Sequence, residues 1–129
     1  MELDKLVASM PFAVATGVEL IRAEPGQVQG RLAWSSQICT IGESIHGGAL
    51  MTLADSVGAI CAFLNLPDGA ATSTIESKTN FFRGLSSGYA NCVSRPLHVG
   101  RRTVVIETDV RDDQDRRLSL TIQTQAVLL

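Results

Sequence analysis

Aromatic residues make up only 5% of this 129-residue sequence, and the formal net charge is −2. A base-stacking platform and a basic nucleic-acid-binding face are therefore not expected. Cysteines number three, Cys39, Cys61 and Cys92, with no CxxC pair among them. An odd count without paired spacing argues against a disulfide scaffold or a zinc site, and free thiols in a reducing cytoplasm are the simplest reading. Metal-ligand spacing such as H-E-x-x-H is missing as well: His46, His98 and Glu43 do not form it, so no metal is expected. The start, MELDKLVASM, has no basic stretch followed by a continuous apolar run, so no signal peptide is expected. The longest apolar segment, residues 49–64, is interrupted by Asp55 and ended by Asn65; it reads as too short and too polar for a membrane span. Repeats, low-complexity tracts and long linkers are absent, and residues 1–129 are expected to form one domain.

What is present is a pattern of strands around one helix. Leu3, Leu6, Val7 and Met10 have helical spacing and Pro11 follows, which predicts a short helix over 2–10. Residues 17–24 and 27–34 read as strands joined by the Pro25-Gly26 turn, and Val28, Gly30, Leu32 and Trp34 mark one buried face. Residues 35–44 read as a loop. From Gly47 to about Leu64 the chain is apolar nearly all round and rich in small residues, as in a helix enclosed by other structure. Pro67-Asp68-Gly69 ends it. Four more strands are expected near 71–82, 87–98, 101–111 and 117–128, linked as hairpins. Val104, Ile106, Thr108 and Val110 form one alternating row, and Leu118, Leu120, Ile122, Thr124 and Ala126 another. The fold class is α+β, an antiparallel sheet wrapped around a central helix.

The stretch IHGGALMTLAD, residues 45–55, carries the chemistry. Asp55 lies among Leu53, Ala54, Val57 and Ile60, where a buried carboxylate is costly unless paired, and where desolvation would suit it as a base. Gly47 and Gly48 sit at the helix start, whose first N–H groups lack intrahelical partners and lie at the positive end of the dipole. Such a start suits a developing oxyanion, and so acyl transfer or hydrolysis. His46 and Asp55 are nine residues apart, about 900° of rotation and about 13.5 Å of rise on one helix. They point to opposite faces. A second copy of the helix, antiparallel across a two-fold axis, would bring His46 of one chain near Asp55 of the other. His46 alone is more often structural, and no G-x-S-x-G elbow accompanies Ser44 or Cys39.

IHGGALMTLADSVGA resembles the signature of the PaaI-type hot-dog acyl-CoA thioesterases, of the 4-hydroxybenzoyl-CoA thioesterase-like superfamily, with their xHGGxxxxLxD pattern. PFAVATGVEL before it, TSTIESKTNFFRG after it and VSRPLHVGRRTVVIETDVRD beyond follow that family's order over nearly the whole chain. The resemblance implies the hot-dog fold and hydrolysis of an acyl-CoA thioester at a site shared across a homodimer, commonly within a homotetramer. Coenzyme A would be part of the substrate, no further cofactor is implied, and nucleic acid and membrane are not implied partners. It assigns Asp55 as general base or nucleophile, the Gly47 N–H as the group polarising the thioester carbonyl, and His46 as the residue orienting the site. Thr74, nineteen residues after Asp55, falls where relatives have a Ser or Thr that positions the water or carboxylate; Ser73 and Ser77 are its neighbours. Gly48, Thr40, Arg83, Arg101 and Arg102 are the implied substrate and CoA contacts; any single arginine reads first as solvated hairpin surface, and at least one is expected at a CoA phosphate.

Thr40 and Gly84 depart from the pattern: relatives often carry Asn or Gln six residues before the His, and Pro at the second position. Glu43 and Ser44 lie close to Thr40 as substitutes. Two alternatives follow: a non-catalytic acyl-CoA sensor, which the Thr40 departure keeps open, and an acyl-thioester hydratase, which the missing G-D-x-N-P-x-H motif disfavours. Trp34, Phe63, Phe81 and Phe82 are expected in the core before an acyl pocket.

Overall fold

A computed structural model describes residues 2–129. Two short helices, α1 (Leu3–Ala8) and α2 (Pro11–Thr16), lead into strands β1 (Glu19–Glu24) and β2 (Gln27–Ala33). Two single 3₁₀ turns precede the central helix α3 (Gly47–Leu64), and four long strands follow: β3 (Ala71–Phe81), β4 (Tyr89–Val99), β5 (Thr103–Arg111) and β6 (Arg117–Leu128). α1 stops at Ala8, short of the expected residue 10, and Pro11 instead begins α2, which the apolar spacing did not predict. Its missing N–H costs nothing at the first helical position.

The six strands form one antiparallel sheet in the order β1-β2-β4-β5-β6-β3. Three of the connections are hairpins. The expected β3–β4 hairpin is not: β3 crosses to the far side and pairs with β6. It thereby becomes an eleven-residue edge strand with one side unpaired. Helix α3 touches all six strands. Leu50, Leu53, Val57 and Cys61 on α3 meet Val28, Leu32, Ala90, Cys92, Val104, Ile106 and Val110 in the core. By length and a mean hydropathy of 1.6, α3 is apolar enough to cross a membrane, contrary to the reading of residues 49–64; here its apolar faces are spent on the sheet.

β5 buries the expected row, Val104, Ile106, Thr108 and Val110. β6 does the opposite of what its apolar alternation predicts. Ser119, Thr121, Gln123 and Gln125 face inward and are at most 1% exposed, whereas Leu120, Ile122, Thr124 and Ala126 are half-buried on the outer face. The pairing shifts between Val110 and Arg111, leaving Leu118 as the extra residue on β6. A bulge of this kind moves every later side chain to the other face. At the β5–β6 turn, burial alone would raise the Asp112 carboxyl. Bonds from the Arg116 and Gln114 N–H groups and the Arg116 guanidinium outweigh it and hold the carboxyl below its ordinary range. Cys61 and Cys92 are free and pushed up by burial to about 11 and about 12, so both are inert thiols.

Gly30 fixes how closely α3 approaches the sheet. A methyl group there would lie 2.8 Å from Val57 Cγ2 and 3.0 Å from the Glu19 carbonyl oxygen, and the backbone atom cannot swing aside. Gly30→Ala is therefore expected to lower unfolding stability by roughly 1–3 kcal/mol, read from the midpoint and slope of urea denaturation. An unchanged midpoint would contradict this packing.

Candidate active site

The helix start is built by a folded-back loop. Cys39 bridges Ile45, and the His46 N–H bonds the Ile38 carbonyl at 2.9 Å. His46 then caps α3 with its own ring: Nδ1 accepts the Gly48 N–H at 2.8 Å. A ring nitrogen that accepts carries no proton, so in the neutral imidazole the proton is on Nε2. Gly48 leaves room for this cap, since a Cβ there would come 2.9 Å from Nδ1. The Ala49 and Leu50 N–H groups go to the His46 carbonyl. Among the described residues the Gly47 N–H has no acceptor, and it sits at the positive end of an 18-residue helix. The Phe81 ring lies against Gly47, 3.2 Å from where a Cβ would be. A cavity of about 330 Å³ opens there, lined by Gly47, Leu50, Phe81, Phe82 and Arg83.

Thr40 stays at the rim of this loop. Its N–H bonds the Ser44 carbonyl at 2.8 Å and its exposed side chain caps nothing. Glu43 is exposed and adopts φ +60°; its carbonyl accepts the Trp34 indole N–H at 3.0 Å.

Asp55 is exposed rather than buried, which corrects the expectation of a desolvated carboxylate. The sheet covers only part of the circumference of α3. Met51, Asp55 and Phe63 fall on the stripe left open, and α2 lines one side of it. A cavity of about 450 Å³ results, bounded by Met10, Pro11, Phe12, Met51, Asp55 and Ser77. Thr74 on β3 reaches Asp55, with Oγ1 3.3 Å from Oδ1; neither Ser73 nor Ser77 makes such a bond. A second, apolar cavity of about 320 Å³ continues along α3 past Met10 to Ile60 and Phe63.

The chain thus brings Asp55 to Thr74, and Gly47 to Arg83, Phe81 and the His46 cap, but it does not bring the two groups together. Arg101 and Arg102 are exposed at the β4–β5 turn, beside the end of β6 and the start of β3. That is the end of the sheet opposite Arg83. Phe63, Phe81 and Phe82 are exposed by 44%, 49% and 60%, so three of the four aromatics expected in the core are not there. Only Trp34 packs against it. The α2 wall and the cover that Phe81 gives Gly47 carry no local signal in the sequence, because both depend on strand pairings and helix packing far along the chain.

Comparison with known proteins bears on the family and the fold. A family model described as the thioesterase superfamily matches residues 42–119, the span from the helix start to β6. The proofreading thioesterase EntH of Cronobacter sakazakii is 32% identical over 84 residues, covering 65% of this chain and 61% of that protein. The matched segment is thus less than two thirds of that relative's length. A crystal structure of a mutant of thioesterase PA1618 from Pseudomonas aeruginosa superposes with a TM-score of 0.93 at 25% identity, covering 99% of this chain and 94% of that one. The conserved protein PA5202 from the same organism superposes at 0.91 with 28% identity, covering 98% and 100%. With one long helix against a six-stranded antiparallel sheet and a family match over more than half its length, the chain belongs to the hot-dog thioesterase superfamily.

Proposed function

We propose that this protein hydrolyses the thioester of an acyl-CoA to the free acid and coenzyme A. The observation that carries the reading is an unaccompanied Gly47 N–H at the start of α3, on the same helix as a carboxylate, Asp55, that opens into an apolar cavity. Gly47 would donate to the carbonyl oxygen as negative charge develops on it. Asp55 would take a proton from the attacking water, or attack the carbonyl itself, with Thr74 holding the carboxylate oriented. The C–S bond then breaks, and the thiolate leaves as the thiol with the proton that Asp55 took up. Where Asp55 itself attacks, water then hydrolyses the acyl–Asp55 anhydride to free the acid and supplies the proton.

The site is completed in this reading by a second copy of the chain. β3 has one unpaired edge, a template for pairing with another strand. Antiparallel pairing of two β3 strands about a two-fold axis at Lys78 sets Ser77 opposite the partner copy's position 79 and, across the bulge between Thr74 and Glu76, Thr74 beside the partner copy's position 81. Thr74 holds Asp55 and Phe81 covers Gly47, so that one register would juxtapose the carboxylate of one chain and the oxyanion donor of the other. Two such dimers would form the homotetramer. The apolar cavity bounded by Met10, Ile60 and Phe63 continues from the carboxylate and would seat an aromatic or short-to-medium aliphatic acyl group. Arg83, beside Gly47, and Arg101 and Arg102, at the other end of β3, would approach the CoA phosphates from the two chains. Thr40 and Gly48 would border the thioester. We place the reaction in the cytoplasm.

Thiol release from a panel of acyl-CoAs tests this. Asp55→Asn is expected to lower kcat at least about a hundredfold with the fold intact; unchanged turnover would remove Asp55 from the mechanism. Wild-type protein that binds acyl-CoAs tightly but turns none over would be a sensor instead. His46→Ala is expected to cost about 1 kcal/mol of stability through loss of the cap. His46→Asn, whose amide oxygen can accept the same N–H, is expected to retain most of it in urea denaturation.

A further inference from the structure

The polar row that β6 turns toward α3 ends in Gln125, 1% exposed and hydrogen-bonded at both ends of its amide. Its Nε2 donates to Thr74 Oγ1 at 2.7 Å. Its Oε1 lies 3.1 Å from Thr72 Oγ1, whose hydroxyl also faces the Ala126 carbonyl at 2.8 Å. Thr74 Oγ1 in turn lies 3.3 Å from Asp55 Oδ1. The direction of this chain is set by Asp55. An ionised carboxylate only accepts, and Thr74 has a single hydroxyl proton, so the Thr74–Asp55 bond requires Thr74 to be the donor. Thr74 must then present a lone pair to Gln125, and the amide group facing it must be the nitrogen. Gln125 thus prevents the Thr74 proton from turning inward, because no acceptor is left for it there.

Burying an amide is expensive unless its bonds are met. Gln123, two residues earlier, shows the cost on β6: its amide presses on Gly58, and among the described residues neither end has a hydrogen-bond partner. The Gln125 amide is paired, and its nitrogen points along the one path that leads to Asp55. We infer that Gln125 is a positioning residue for the reaction, acting through Thr74 to hold the Asp55 carboxylate in its working orientation. This rests on the thioesterase reading above and adds to it a residue seventy positions from the carboxylate, on a different strand from Thr74.

The test is a double-mutant cycle in the full-length protein, read as kcat and KM for thiol release from the best acyl-CoA of the panel. Gln125→Met removes the donor at nearly constant volume, and Thr74→Val removes the relay. Each is expected to lower kcat about tenfold, the effect of one lost hydrogen bond to a charged group's partner, with KM within about twofold. In the Thr74→Val background Gln125→Met is expected to lower kcat no further, because the amide then has nothing to orient; a purely structural role would not vanish in this way. Gln125→Asn keeps a buried amide but draws its nitrogen back by one methylene, and it serves the same purpose should the Met variant not fold. Unchanged kcat in either folded variant, penalties that multiply in the double mutant, or a rise in KM alone would overturn the inference. Wild-type protein without turnover would instead remove the thioesterase reading on which it stands.

Discussion

A straight α-helix sets Gly47 and Asp55 more than two turns and about 12 Å of rise apart, and no rotamer closes that gap. The packing of the rest of the chain respects this separation. The Cys39–Ile45 bridge, the His46 ring and the Phe81 ring shape the start of α3 around one free N–H. Some two turns further along, α2, Ser77 and Thr74 shape a cavity around one carboxylate. Each half is well formed, and neither contains the other's polar group. The unpaired edge of β3 runs past both, and a two-fold axis near its middle would exchange the halves between chains. The same long strand that leaves the sheet open at one side would therefore also set the register of the site.

Helix and sheet accommodate this at some cost. A helix serving only as core would be covered on every side, yet α3 leaves a stripe from Met51 to Phe63 open. A strand serving only as core would turn Leu120 and Ile122 inward, yet β6 turns Gln123 and Gln125 inward instead. Gly30 and Gly58 allow the close approach that these choices require, one beneath Val57 and the other beneath the Gln123 amide. Polar groups in the interior are retained where they define a geometry, and the Gln125–Thr74–Asp55 chain gives that geometry a direction.

Much of this was legible in the sequence. Helix α3 was readable to its ends because its apolar run is long, its start has two glycines and its end has Asn65 and a proline turn. The strands were readable from their alternation. His46, Gly47 and Asp55 stood out because their residue types conflict with an apolar helix. What escaped depends on partners distant in sequence. The position of β3 beside β6 is a pairing choice that no local pattern encodes. The inversion of β6 follows from one extra residue at Leu118, which a period-two pattern cannot reveal. The exposure of Asp55 and of three phenylalanines follows from which faces of α3 and β3 the sheet leaves open, and that depends on the completed fold.

Complementation between two inactive chains tests the shared site most directly. One chain carries Asp55→Asn and the other Gly47→Val, and they are co-expressed with different affinity tags so that the heterodimer is purified free of both homodimers. If carboxylate and oxyanion donor come from opposite chains, each heterodimer holds one intact site. Thiol release should then recover to about half the wild-type rate, while either homodimer stays inactive. If both groups act within one chain, no intact site forms, and a heterodimer as inactive as its parents would contradict the account.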